Sequence, residues 1–144
     1  MRVVLDTNVI VSSLISPQGV RSQVRHELAQ GKYDLVVSEP ILEEYRTALN
    51  YPKVVKKHGK SPKEIDIEVK MLQRFSITLE QEQIPTLDVV KDDPKDNKFV
   101  EAAAAAGAAY IVSGDPHLLD LIEYQGIKII TPSSFLALLL EENK

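Results

Sequence analysis

The first ten residues, MRVVLDTNVI (Met1 to Ile10), decide how the rest of the chain reads. Val3-Val4-Leu5 is an apolar run of the kind that a parallel sheet buries on both faces. Asp6, Thr7 and Asn8 follow it without a break. Aspartate is unfavourable inside strands and costly to bury unpaired. An apolar strand that ends in a carboxylate, a hydroxyl and an amide is either turning into a helix or building a site.

The same alternation continues down the chain. After a strand at residues 2–5, a helix is expected over 8–14, closed by Ser16-Pro17-Gln18-Gly19, and another over 20–30 with Gly31 as its stop. Leu35-Val36-Val37 reads as a second strand, and residues 41–49 as a helix introduced by Ser38-Glu39-Pro40. Further helices are expected over 62–74, 94–106, 118–124 and 135–140, and strands over 76–79, 109–112 and 127–130. Residues 53–83 read as polar and irregular, a helical excursion from the sheet. Apolar strands alternating with helices predict an α/β fold with a mainly parallel sheet covered on both faces.

Bulk properties narrow the function classes. A chain of 144 residues predicts a single domain over 1–144 with a substantial core. Hydrophobic residues make up 44% and charged residues 26%, ordinary for a globular protein. The absence of cysteine excludes disulfides and thiolate metal sites, and suits a cytoplasmic location. Asp6 interrupts the N-terminal apolar run too early for a signal peptide. The longest apolar runs are about half of the roughly 20 residues that a membrane span needs. A net charge of −4 disfavours loose, charge-driven nucleic-acid binding but not binding through metal ions.

Sites in open α/β sheets lie at the carboxyl ends of strands. Asp6 sits at such an end, and so does Asp115 after Tyr110-Ile111-Val112-Ser113-Gly114. Each could simply cap the helix that follows. Parallel strands end on one rim, however, so the two would meet there if their strands are neighbours. Asp96 follows Asp93-Pro94, which looks like a cap and first helical residue. Phe99, Val100 and Ala103 lie three, four and seven positions beyond Asp96 and form an apolar stripe, so Asp96 faces the core side. The fourth candidate is Glu43 or Glu44. Ile41, Leu42, Tyr45, Ala48 and Leu49 share a helical face; Glu44 lies on its edge and Glu43 nearly opposite, which favours Glu44. Asp92 and Asp93 read as caps.

Crowded carboxylates raise one another's pKa unless a cation neutralises them. Hard oxygen donors suit Mg²⁺ or Mn²⁺, ions that serve phosphodiester chemistry. Asn8 and Ser113 would orient the carboxylates or a water. His26, His58 and His117 fall in no metal-ligand spacing and read as surface.

These residues resemble the PIN domain family: Asp6-Thr7-Asn8 after the first strand, Glu44 in a helix after Ser38, Asp96 opening an alanine-rich helix, and Ser113-Gly114-Asp115 after a strand. The run DPKDNKFVEAAAAAGAAYIVSGDPHLL, Asp93 to Leu119, and the ending ITPSSFLALL, Ile130 to Leu139, resemble the branch described as toxin components of toxin–antitoxin systems. The resemblance implies a three-layer α/β/α sandwich and a Mg²⁺- or Mn²⁺-dependent nuclease acting on RNA. It implies that Asp6, Glu44, Asp96 and Asp115 are the metal-binding acids. It further implies a homodimer and, for toxin members, a small antitoxin protein as partner.

Other readings fit less well. A haloacid-dehalogenase-type phosphatase needs a second Asp two residues after the first, where this chain has Asn8. A phosphoacceptor receiver domain wants paired acids after its first strand, which LDTNV lacks. The alternative from another class is a non-catalytic PIN-like module that binds RNA or protein. The densest positive run, YPKVVKKHGKSPK (Tyr51 to Lys63), reads as a solvated mobile loop or as a basic arm for RNA phosphates, with Arg21 and Arg25 as the next candidates.

Overall fold

The opening apolar run forms β1 (Arg2–Leu5), with Val3, Val4 and Leu5 buried. The computed structural model describes residues 1–142. Beyond β1 come α1 (Thr7–Ile15), α2 (Val20–Ala29), β2 (Asp34–Val37), α3 (Glu39–Leu49), α4 (Pro52–His58), α5 (Pro62–Arg74) and β3 (Ser76–Thr78). A 3-10 turn at Pro94–Asp96 leads into α6 (Asn97–Ala106). The chain finishes with β4 (Tyr110–Val112), α7 (Pro116–Leu119), β5 (Glu123–Tyr124), β6 (Ile127–Ile130) and α8 (Pro132–Glu142).

The strands form one sheet in the order β3-β2-β1-β4-β6-β5. Every neighbouring pair is parallel except β5 with β6. Helices flank it: α6 lies against β1, β2 and β4, while α2 packs on α1 and α8. The mixed α/β class expected from the sequence is therefore the one adopted. Its core holds the inner strands with Phe99, Val100 and Ala103 of α6, Tyr45 of α3 and Phe135 of α8.

Strand order positions the site. From β1 the sheet grows through β2 to β3 on one side, and through β4 to β6 on the other. The winding reverses between β1 and β4, and the crevice beyond the carboxyl ends of two such strands is where these sheets receive ligands. Asp6 follows β1 directly, and Asp115 follows β4 with Ser113 and Gly114 between.

Within residues 53–83 the helix expected over 62–74 and the strand expected over 76–79 are present as α5 and the edge strand β3, which pairs with β2, and α4 is the element not expected from the sequence. Gly59, at φ 69°, ends α4 in the left-handed conformation, and Ser61 with Glu64 makes a reciprocal cap that starts α5. Ile65, Val69 and Leu72 recur at helical spacing and are buried, a narrow apolar stripe on an otherwise polar helix. The basic run is thus largely helical.

Residues 118–124 do not form the helix expected. α7 is a single turn, and the chain then forms the β5–β6 hairpin. Gln125 (φ 48°) and Gly126 (φ 86°) supply the left-handed backbone that a two-residue hairpin loop requires. Leu118, Leu121 and Ile122 mimic helical spacing, but ladder pairing with β6 wins.

Candidate active site

The site grows out of the last rungs of the sheet. The Asp6 backbone N–H donates to the Val112 carbonyl at 2.9 Å, which holds the side chain at the end of the ladder. Asp6 stands at the N-cap of α1, yet its side chain makes no capping hydrogen bond. Instead the Ser113 Oγ donates to Asp6 Oδ2 at 2.6 Å and accepts from the Asp115 N–H at 2.9 Å. One buried hydroxyl thereby ties the ends of β1 and β4 together. Asp115 keeps a capping role as well: its Oδ1 accepts the His117 N–H at 2.9 Å.

α3 delivers the glutamate. Ile41, Leu42, Tyr45 and Leu49 bury one face, and the Tyr45 hydroxyl donates to the Leu5 carbonyl, which docks α3 on β1. Glu43 points to solvent and pairs with Arg46 at 3.0 Å. Glu44 turns inward, where its carboxylate accepts from the Thr7 hydroxyl and from Lys98 Nζ. Asp96 ends the 3-10 turn before α6 and is only 7% exposed. Phe99, Val100 and Ala103 on the same stripe are buried, as the spacing predicted.

The four acids act on one another. Burial pushes the Asp6 carboxyl from its ordinary 3.8 up to about 6; the Ser113 and Thr7 hydrogen bonds pull it down, and the charges of Asp115 and Glu44 push it further up. Burial also raises Asp96 strongly, helped by its hydrogen bond to Asp115 and by the charges of Asp6, Asp93 and Asp115. Partial burial opposes the charge on Asp115, but the Asp96 hydrogen bond, the His117 N–H and the His117 ring together hold it below the ordinary carboxylate range. In the metal-free protein Asp96 therefore carries the proton that the pair shares.

Asp96 Oδ2 is buried and receives no hydrogen bond from an amide, amine or hydroxyl. Once the proton shared with Asp115 leaves, a buried carboxylate oxygen without a donor is costly, and a cation is the partner that removes the cost. The donors at the crevice are hard oxygens, the set preferred by Mg²⁺ and Mn²⁺. Among the described residues, the set whose ligand atoms lie within 4.8 Å of one another is Asp93, Asp115 and His117, so a divalent cation fits beside Asp115; Asp6, Asp96 and Glu44 are the charged neighbours around that rim.

Several neighbours gave little warning in the sequence. Thr7 and Lys98 hold Glu44, and nothing in their spacing announces it. His117 Nδ1 lies 3.8 Å from both Asp93 Oδ2 and Asp115 Oδ1, so His117 is part of the rim rather than indifferent surface. Asp93, Asp115 and His117 together offer three ligand atoms within 4.8 Å of one another. Asp93 was expected to cap a helix. It stands at the N-cap of the 3-10 turn, but its side chain makes no capping bond. Asn8 is exposed and, among the described residues, bonds to none of the four acids.

An open, mainly parallel α/β sheet with four carboxylates at its switch point defines a class of nuclease-like, metal-fitting proteins. A family profile described as PIN domain matches residues 2–117, a span that contains all four acids. The chain belongs to the PIN domain family, whose members are generally nucleases and typically bind divalent metals. It is also similar to the uncharacterized protein MJ1680 of Methanocaldococcus jannaschii, with 29% identity over 145 residues, covering 94% of this chain and 90% of that protein.

Proposed function

We propose that this chain is a Mg²⁺- or Mn²⁺-dependent endoribonuclease that hydrolyses RNA phosphodiester bonds with Asp6, Glu44, Asp96 and Asp115. What supports the reading is that Asp6, Asp96 and Asp115 lie close enough to shift one another's protonation, with Glu44 also acting on Asp6, and that Asp96 Oδ2 is buried without a donor from any amide, amine or hydroxyl. A binding module has no need of such a cluster, whose mutual repulsion weakens the fold. The bound ion would supply charge neutralisation and an activated water. The protein's own part is positional. Ser113 fixes Asp6 and the Asp115 backbone, and Thr7 and Lys98 aim Glu44.

The proposal extends to the setting that the family resemblance implies: a cytoplasmic toxin restrained by a small antitoxin, and a homodimer. The exposed row Ile67, Met71 and Phe75 along α5 is apolar surface suited to a second copy. Among the described residues no helix is long and apolar enough to cross a membrane.

Calorimetric titration with Mn²⁺, run beside cleavage of labelled RNA and DNA, separates the nuclease from the non-catalytic module. The nuclease reading expects saturable Mn²⁺ binding that weakens sharply in Asp96→Asn, with RNA cut and EDTA stopping the cut. RNA binding without metal uptake would favour the module.

A further inference from the structure

Arg21 has no role in the chemistry above, and its placement is unfavourable in three separate ways. It lies in the first turn of α2, where the helix dipole disfavours a cation, and that turn carries no acid to offset it. Its Nε is buried without a hydrogen-bond partner. Among the described residues, no carboxylate forms an ion pair with it, although the acidic cleft is adjacent. Arg25, one helical turn on, is taken up by Glu68, and Lys98 by Glu44.

The neighbouring loop makes room for this arginine. Gly114 stands between Ser113, which holds Asp6, and Asp115. A Cβ on Gly114 would lie 2.9 Å from Arg21 Nη2 and would meet nothing else within 4 Å. Gly114 has no positive φ to account for the glycine. What it provides is space for a guanidinium laid against the loop that carries the site's acids.

We propose that Arg21 is the cleft's phosphate grip: its guanidinium, seated over Gly114, binds a backbone phosphate of the RNA strand beside the four acids. The inference rests on the nuclease reading, and it names how an acid-lined cleft holds a polyanion. A phosphate supplies acceptors for the unsatisfied guanidinium and a counter-charge for the helix end at once. The chain before Arg21 is braced, because Ser22 Oγ lies 2.7 Å from the Ser13 carbonyl and 2.5 Å from the Ser16 carbonyl, and its one proton can be donated to either. The grip is therefore held in place before RNA arrives.

The test is a double-substitution cycle of Arg21→Ala and Gly114→Ala, with Asp6→Asn in every arm so that the strand stays whole. Binding of a fluorescent single-stranded RNA is followed by anisotropy in Mg²⁺ over a range of salt. Arg21→Ala should weaken binding about ten-fold and flatten the salt slope by about one unit. Gly114→Ala should weaken binding when Arg21 is present and change nothing further when Arg21 is absent. Arg21→Lys should fall between, because it keeps the charge and loses the fork. Thermal unfolding should be unchanged or higher in Arg21→Ala, since no native partner is lost; a structural arginine would instead destabilise. Unchanged affinity in Arg21→Ala, or a Gly114→Ala effect that persists without Arg21, overturns the proposal. Cleavage by the Asp6-intact enzyme is read in parallel. Cleavage that survives while Arg21 proves irrelevant to binding rejects the grip alone. Arg21-dependent binding without any cleavage rejects the nuclease reading and keeps the grip.

Discussion

Asp6 concentrates the conflict between stability and function. A carboxyl whose pKa is raised by folding binds its proton more tightly in the native state, so it favours that state at low pH and penalises it as pH rises. For Asp6 the penalty grows between the unfolded value of 3.8 and the folded value of about 6. At neutral pH it reaches about 3 kcal/mol in the metal-free protein. Asp6→Asn should therefore raise the melting temperature of the EDTA-treated protein at pH 7, and the gain should vanish near pH 4. A melting series across that window checks both the size and the sign. Ser113→Ala removes the hydroxyl that bonds both neighbours and leaves the part-buried Asp115 N–H unpaired. It should cost about 1–3 kcal/mol in denaturant unfolding, and Mn²⁺ affinity should fall by about ten-fold or more. At this scale Asp6, Asp96 and Asp115 were legible because each follows a strand or opens a helix at the sheet rim, and Glu44 because a helical face can be counted. Lys98 and Thr7 were not, because they come together only through packing of α3 against α1 and α6.

Among the elements, the inner strands and α6 announced themselves through unbroken apolar runs and a regular stripe. The hairpin of β5 and β6 did not, since its strands are short and its left-handed pair, Gln125-Gly126, is not the usual Asn-Gly. Ile122 adds to this: it holds φ 62° and is 73% exposed, an unusual state for a β-branched side chain. Ile122→Asn, which tolerates that conformation, should stabilise the protein by roughly 1 kcal/mol while leaving RNA cleavage unaltered. A lower melting temperature would mean that the Ile122 side chain packs in a way its exposure does not suggest. Within residues 53–83 the helix over 62–74 and the strand after it were legible, and α4 was not. α4 buries none of its residues, so no apolar stripe announced it.

For the whole molecule, strand order makes sense of the site. Because β1 sits between β2 and β4, the carboxyl ends of β1 and β4 meet at the reversal of winding, and the acids on either side share one crevice. The sequence alone gave the strand–helix alternation and the rim acids, but not which strands are neighbours; that depends on long-range pairing. A molecule that gathers charge in this way should be strongly stabilised by the ion that relieves it. Saturating Mn²⁺, at about 100 times its Kd, should add about 3 kcal/mol to unfolding, and the increment should shrink in Asp96→Asn.

The most direct measurement compares cleavage of a labelled RNA by the unmodified protein and by Asp6→Asn, each with Mg²⁺ or Mn²⁺ and with EDTA. The substitution removes a ligand charge and keeps the shape, so it isolates the chemistry from the fold. Metal-dependent cleavage by the unmodified protein, lost in a folded Asp6→Asn, is the expected result. Full activity in Asp6→Asn, or cleavage indifferent to EDTA, would contradict the assignment of these four acids as the catalytic centre.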